Sequence, residues 1–219
     1  MSRPKGLMRG APVVALAMWA CAPAMQDYTS FRQHMPKSIL VLPPLNETTN
    51  VGAPYVFLST VSRPVGEAGY YTFPVAVVDA LMKENGLPTP GEMHQVPLAK
   101  LGEVFGADAV LYVAIEQWGQ KYQVIDSVTV VKARAKLVDV GTGLTLWNGV
   151  IHVQESSSAG QTDIIGMLVA ALIDQVIDSA TDRTHAVSRM ATQQAVFDRS
   201  TGLLLGPRHP DYEGDARGR

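Results

Sequence analysis

The chain has 219 residues, 47% of them hydrophobic, with 18 basic and 20 acidic side chains and a formal net charge of −2. That length holds one sizeable domain or two small ones with a real core, and the mild acidity excludes a nucleic-acid binder of the usual basic type. The single cysteine, Cys21, excludes an internal disulfide and leaves no thiolate pair for zinc.

Arg3, Lys5 and Arg9 precede an uncharged apolar run over residues 11–20, and the first acid is Asp27. This is the layout of a secretory leader, too short for a bilayer span of about 20 apolar residues. The run ends on Ala20-Cys21, which resembles the lipobox of bacterial lipoproteins, where the thiol is diacylated and the new N-terminus acylated. Trp19 stands where a small residue is usual. An ordinary leader cleaved near Ala22-Pro23-Ala24, with Cys21 incidental, is the alternative. Each buried acyl methylene contributes about 0.8 kcal/mol, so one chain binds reversibly and several anchor firmly. Residues 1–20 are therefore expected to be a signal peptide, Cys21 the lipidation site, and 21–37, aperiodic with Pro23 and Pro36, a lipidated tether.

A single α/β domain is expected over 38–200. Residues 38–42 read as a buried first strand stopped by Pro43-Pro44. Pro54 suits the first turn of a helix running toward Ser62, which Pro64 should break. Residues 70–75 are aromatic and strand-like. Val75, Val78, Leu81 and Met82 then mark a helix stopped by Asn85-Gly86, and a further helix is expected from Val96 to Phe105. The run 109–115 is almost wholly apolar, as in a central strand covered on both faces. Residues 122–140 alternate, with Val131, Ala133, Ala135 and Leu137 on one face and Lys132, Arg134 and Lys136 on the other. Gly141-Thr142-Gly143 turns the chain into 144–153, giving an antiparallel hairpin. Trp118 and Trp147, near strand ends, read as core or rim packing. Beyond a connector at 155–160, Ile164, Leu168, Leu172 and Ile173 belong to a broad apolar helical stripe, for the core or an interface. A weaker helix covers 184–197, and 201–219 forms a Gly-, Pro- and charge-rich C-terminal tail. The fold class is α/β (α+β): a mixed β-sheet with a C-terminal antiparallel hairpin and helices packed on it.

No nucleophile elbow and no phosphate-binding glycine loop occurs in the sequence. No two of His34, His94, His152, His185 and His209 are spaced i, i+4 for a metal. Asp178, Asp182 and His185 share helical spacing, which a solvated helix end explains better than an acid/base site. Lys132, Arg134 and Lys136 read as a solvated strand face, with an anionic partner the less favoured alternative. A dispersed hydrolase site would need residues such as Asp79, Asp126, His94 or His152 to converge. No catalytic residue, cofactor or metal is expected, and no nucleic-acid partner.

Several motifs carry a family resemblance: residues 38–47 (SILVLPPLNE), 53–55 (APY), 67–75 (EAGYYTFPV), 92–98 (EMHQVPL), 105–109 (FGADA), 122–124 (YQV), 135–139 (AKLVD) and 202–208 (GLLLGPR). Together they resemble a family of uncharacterised bacterial lipoproteins of the neisserial vaccine-candidate antigen type. The resemblance implies a fold similar to the TolB N-terminal domain and to curli-secretion-type lipoproteins. It also implies no established reaction, cell-envelope protein partners such as a transporter or a secretion-type lipoprotein, and a homodimer. Ala22 is not the aspartate that typically retains lipoproteins at the inner membrane. The expectation is thus a non-enzymatic auxiliary or assembly component of a transport or secretion complex, anchored by Cys21 in the outer membrane and facing the periplasm. A lipid- or glycan-binding carrier is the alternative, and a hydrolase the least favoured reading.

Overall fold

The computed structural model describes residues 26–122, 127–156 and 180–214. The expected signal peptide, Cys21, Asp126, the stripe at 164–177 and Asp178 lie outside the described residues.

The chain first forms a short helix, α1 (Thr29–Gln33), then strand β1 (Ser38–Val41). Pro43-Pro44 supplies no backbone donor and interrupts the ladder. The chain then resumes pairing as β2 (Leu45–Asn46), which lies parallel to residues 114–115. Helix α2 (Ala53–Glu67) is followed by β3 (Tyr71–Thr72), α3 (Val75–Glu84), α4 (Pro90–Met93) and α5 (Leu98–Phe105). Three long strands complete the sheet: β4 (Ala109–Tyr122), β5 (Ser127–Asp139) and β6 (Thr145–Ser156). Helix α6 (Ala180–Phe197) follows. The strand order is β3-β1-β4-β5-β6, with β1 parallel to β3 and β4, and β4, β5 and β6 an antiparallel meander.

The expected mixed sheet with packed helices is present, and the apolar run at 109–115 is its middle strand. Ile39, Val41, Leu111, Val113 and Ile115 pack into one core beneath α1, α2 and α6, while Leu40, Leu42 and Val110 pack into a second with residues of α3, α4 and α5. The alternation in β5 is also as expected: Val131, Ala133, Ala135 and Leu137 are buried. Trp147 is buried and Trp118 packs against the larger core, the packing role read from the sequence.

Several local expectations change. Pro64 does not end α2, which runs three residues further. The Thr60 carbonyl, which Pro64 cannot bond, instead faces the Thr192 hydroxyl at 3.4 Å, and apolar packing of Val61 and Val65 holds the helix through the proline. The strand expected over 70–75 keeps only two residues, because Pro74 becomes the N-cap of α3. The helix expected from Val96 starts at Leu98, with Pro97 at its N-cap, and an additional short helix precedes it: Thr89 and Glu92 form a reciprocal capping box that starts α4.

The packed body also reaches beyond residues 38–200. Phe31, within the segment read as tether, is fully buried, a contribution of about 1.5–3 kcal/mol. Leu203, Leu204 and Leu205, within the segment read as tail, are buried too. Three aromatic donors fasten this stretch: Trp147 Nε1 to the Thr201 carbonyl at 2.7 Å, Tyr28 Oη to that of Gly202 at 2.5 Å, and Tyr70 Oη to that of Leu204 at 2.6 Å. Gly69 lets the chain cross closely. Its φ is +93°, and a Cβ there would overlap the backbone of Gly206 and His209. The N- and C-terminal stretches are thus docked by contacts that only the closed sheet brings together.

Candidate functional site

Among the described residues, helices α3, α4 and α5 cover the second sheet face over β1, the start of β4 and the adjoining end of β5, where Val138 is buried and Val140 packs against the second core, and they leave Arg134 and Lys136 exposed. The alternation of the strands then sends three successive cross-strand rows to the open side. Tyr112 pairs with Lys136, which pairs with Asn148; Ala114 pairs with Arg134, which pairs with Val150; Lys132 pairs with His152. Val150 is 66% exposed, and Arg134, Lys136, Asn148 and His152 are exposed around it.

The three basic residues do share a face, and the structure distinguishes them. A register shift between Ile115 and Gln117 leaves Glu116 without a partner in the ladder. Its carboxylate reaches Lys132 at 2.9 Å and Arg134 at 2.5 Å, and Arg134 also meets Glu47 at 3.3 Å. The hydrogen bond from Lys132, aided by the charges of Lys132 and Arg134, holds the Glu116 carboxyl below the usual carboxylate range against the opposing effect of burial. Lys136 makes no ion pair or hydrogen bond among the described residues.

The rows border an open cavity of about 380 Å³, whose lining includes Leu45, His94, Tyr112, Ala114, Arg134 and Val150. This lies in the size range of small-ligand and side-chain pockets. A second cavity of about 400 Å³ shares Leu45 and is lined further by Pro43, Tyr55, Asp79 and Lys83. His94 Nε2 lies 2.9 Å from the Pro43 carbonyl. A carbonyl only accepts, so Nε2 carries the proton. Burial lowers the His94 pKa, partly offset by that carbonyl, and its ring meets Tyr112 edge-on at 5.3 Å.

The residues named for a dispersed hydrolase site are therefore distributed. His94 faces the first cavity with Nε2 bound to backbone, Asp79 is paired with Lys83 at 2.7 Å beside the second, and His152 stands on the open face. His185 meets Ser59 across α2 and α6 at 3.2 Å, but the Ser59 hydroxyl donates to the Val56 carbonyl at 2.7 Å. Among the described residues, no group of three or more His, Cys, Asp or Glu could hold a metal ion, and no helix is long and apolar enough to cross a membrane. The sequence supplied the basic row. It did not reveal Tyr112, Asn148 and Val150 as neighbours of that row, because their adjacency depends on strand register.

The mixed sheet carrying helices, together with this motif set, belongs to a class of bacterial lipoproteins. The chain belongs to the family "Putative lipoprotein GNA1162-like", whose model matches residues 26–208. It is 43% identical to "Putative lipoprotein NMB1124/NMB1162" of Neisseria meningitidis serogroup B over 209 residues, covering 93% of this chain and 96% of that one. The crystal structure of lipoprotein GNA1162 from Neisseria meningitidis matches with TM-score 0.55 and 44% identity, covering 66% of this chain and all of that one. The dodecamer of a PelC point variant from Paraburkholderia phytofirmans aligns with TM-score 0.47 and 16% identity, over 73% of this chain and 86% of its own.

Proposed function

We propose that the protein is a non-catalytic docking component of a cell-envelope transport or secretion complex. In this reading Cys21 anchors it in the outer membrane, facing the periplasm, and the open face of β4, β5 and β6 engages a protein partner such as a transporter or a secretion-type lipoprotein. The observation that carries the reading is the face that the described residues leave uncovered: on β6, at the end of the strand order, Val150 is 66% exposed beside Arg134, and both residues line the first cavity. An exposed apolar side chain bordered by charged and polar ones matches the anatomy of a protein interface. The fixed engagements of His94 and Glu116, which tie both groups to neighbours, favour binding over turnover.

The test is a photo-crosslinking amino acid placed at Asn148 in cells, with a control at Glu103 on α5. The expected result is a crosslink from position 148 to one envelope protein, lost when Val150→Arg is added and absent from position 103. Equal crosslinking from both positions, or no effect of Val150→Arg, would count against the face. A lipid or glycan found by native mass spectrometry and lost with Val150→Arg would favour the carrier reading instead.

A further inference from the structure

The open face carries a more specific chemistry, which rests on the docking reading above. One row of the sheet carries three residues with side-chain donors, Tyr112, Lys136 and Asn148, from β4, β5 and β6 in direct register. None of the three has a hydrogen-bond or ion-pair partner among the described residues. Burial raises the Tyr112 pKa above the ordinary phenol value, so its hydroxyl remains a donor at neutral pH. The other two cations of the face are satisfied by Glu116 and Glu47. Charge on this face is therefore uneven, with an unanswered cation and two neutral donors at the end beside His94 and the cavity.

The next row, Ala114, Arg134 and Val150, offers an exposed aliphatic residue on β6, with Arg134 between it and Ala114. Adjacent rows on one face are two residues apart along a strand, about 6.4–6.8 Å. An extended peptide repeats its same-side side chains at that distance. A carboxylate on the first row and an aliphatic side chain on the second are thus what one extended segment presents at positions i and i+2. A lipid headgroup supplies the anion without the matched second contact.

We propose that the Tyr112, Lys136 and Asn148 row binds the carboxylate of an acidic side chain in an extended partner segment of acidic-x-aliphatic pattern, the aliphatic residue seating on Val150 beside Arg134. The carboxylate accepts from all three donors, and its charge supplies the partner that Lys136 lacks.

The experiment uses the full-length lipoprotein in phosphatidylcholine nanodiscs and fluorescein-labelled, end-blocked peptides carrying Glu-Thr-Val, Gln-Thr-Val or Glu-Thr-Ser between flanking threonines, read by fluorescence anisotropy. The Glu-Thr-Val peptide is expected to bind saturably in the millimolar range or better. Replacing Glu by Gln should weaken it about tenfold, the worth of one charge-assisted contact. Lys136→Gln should weaken the Glu peptide similarly and remove the preference for Glu over Gln. Val150→Ser should remove the preference for Val over Ser. Equal binding of the Glu and Gln peptides, no effect of Lys136→Gln, or no saturable binding of the Glu peptide would each overturn the proposal. Displacement of the peptide when the nanodiscs contain phosphatidylglycerol would overturn it in favour of a lipid phosphate. If crosslinks from position 148 persist and depend on Val150 while the acidic preference is absent, the face still docks a protein and only the carboxylate assignment falls.

Discussion

Replacing Gly149 by alanine drives a methyl group into the indole of Trp147. A Cβ at Gly149 would overlap the Cη2, Cζ2 and Cζ3 atoms of that ring, which lies flat along β6 over the glycine two residues ahead. The indole has little room to yield. It is 3% exposed, it packs in the larger core, and its Nε1 donates to the Thr201 carbonyl at 2.7 Å. Overpacking of a well-filled core costs about 1–3 kcal/mol, and release of the Thr201 carbonyl adds about 1 kcal/mol. The expected loss is therefore about 2–4 kcal/mol, out of a total stability of about 5–15 kcal/mol for a domain. At about 2–4 °C per kcal/mol for a chain of this size, Tm falls by about 4–16 °C. Urea unfolding followed by circular dichroism measures the first quantity and a thermal melt the second. In a Trp147→Leu background the same alanine should cost little, since the overlapping ring is gone. A loss below about 0.5 kcal/mol, within the range of ordinary surface substitutions, or an equal loss in the Trp147→Leu background, would mean that the indole does not oppose a side chain at position 149.

Two further outcomes follow from the anchor and from His94. Burial depresses the folded-state pKa of His94 below 6.5, so on acidification the unfolded chain takes up this proton before the folded one does. Stability then falls as pH drops through the ordinary histidine range and is unaffected above it; His94→Gln should flatten that part of the urea midpoint plotted against pH, and an unchanged slope would remove His94 from the account. Cys21→Ala should release the protein from membranes or block its processing, read by labelled palmitate incorporation and fractionation, and undiminished membrane association would reject the acyl anchor.

Much of the architecture was legible because its signals are local. The apolar run at 109–115 announced a strand covered on both faces, and the alternation of Val131, Ala133, Ala135 and Leu137 against Lys132, Arg134 and Lys136 fixed which side of β5 faces the core. Asn85 and Gly86 end α3 where expected. Terminal and proline positions were less legible. Pro64 breaks a helix considered alone, yet α2 passes through it because its apolar face is held by the sheet. Phe31 and Leu204 lie in stretches with no period of their own, and their burial comes from distant partners.

Residue type and short spacing were enough for the long strands, the helices around 53–67, 75–84 and 98–105, the inward face of the central strands, the basic row and the candidate lipidation site Cys21. Only the folded chain shows that Tyr112 and Asn148 flank Lys136, that Glu116 and Glu47 pair with Lys132 and Arg134 but not with Lys136, and that Tyr28, Tyr70 and Trp147 fasten residues 201–204. Those facts depend on strand register, on a bulge at Glu116 and on contacts spanning up to 174 residues of sequence. Local propensity carries no record of such distances, whereas hydrogen-bond pairing across the sheet sets them directly.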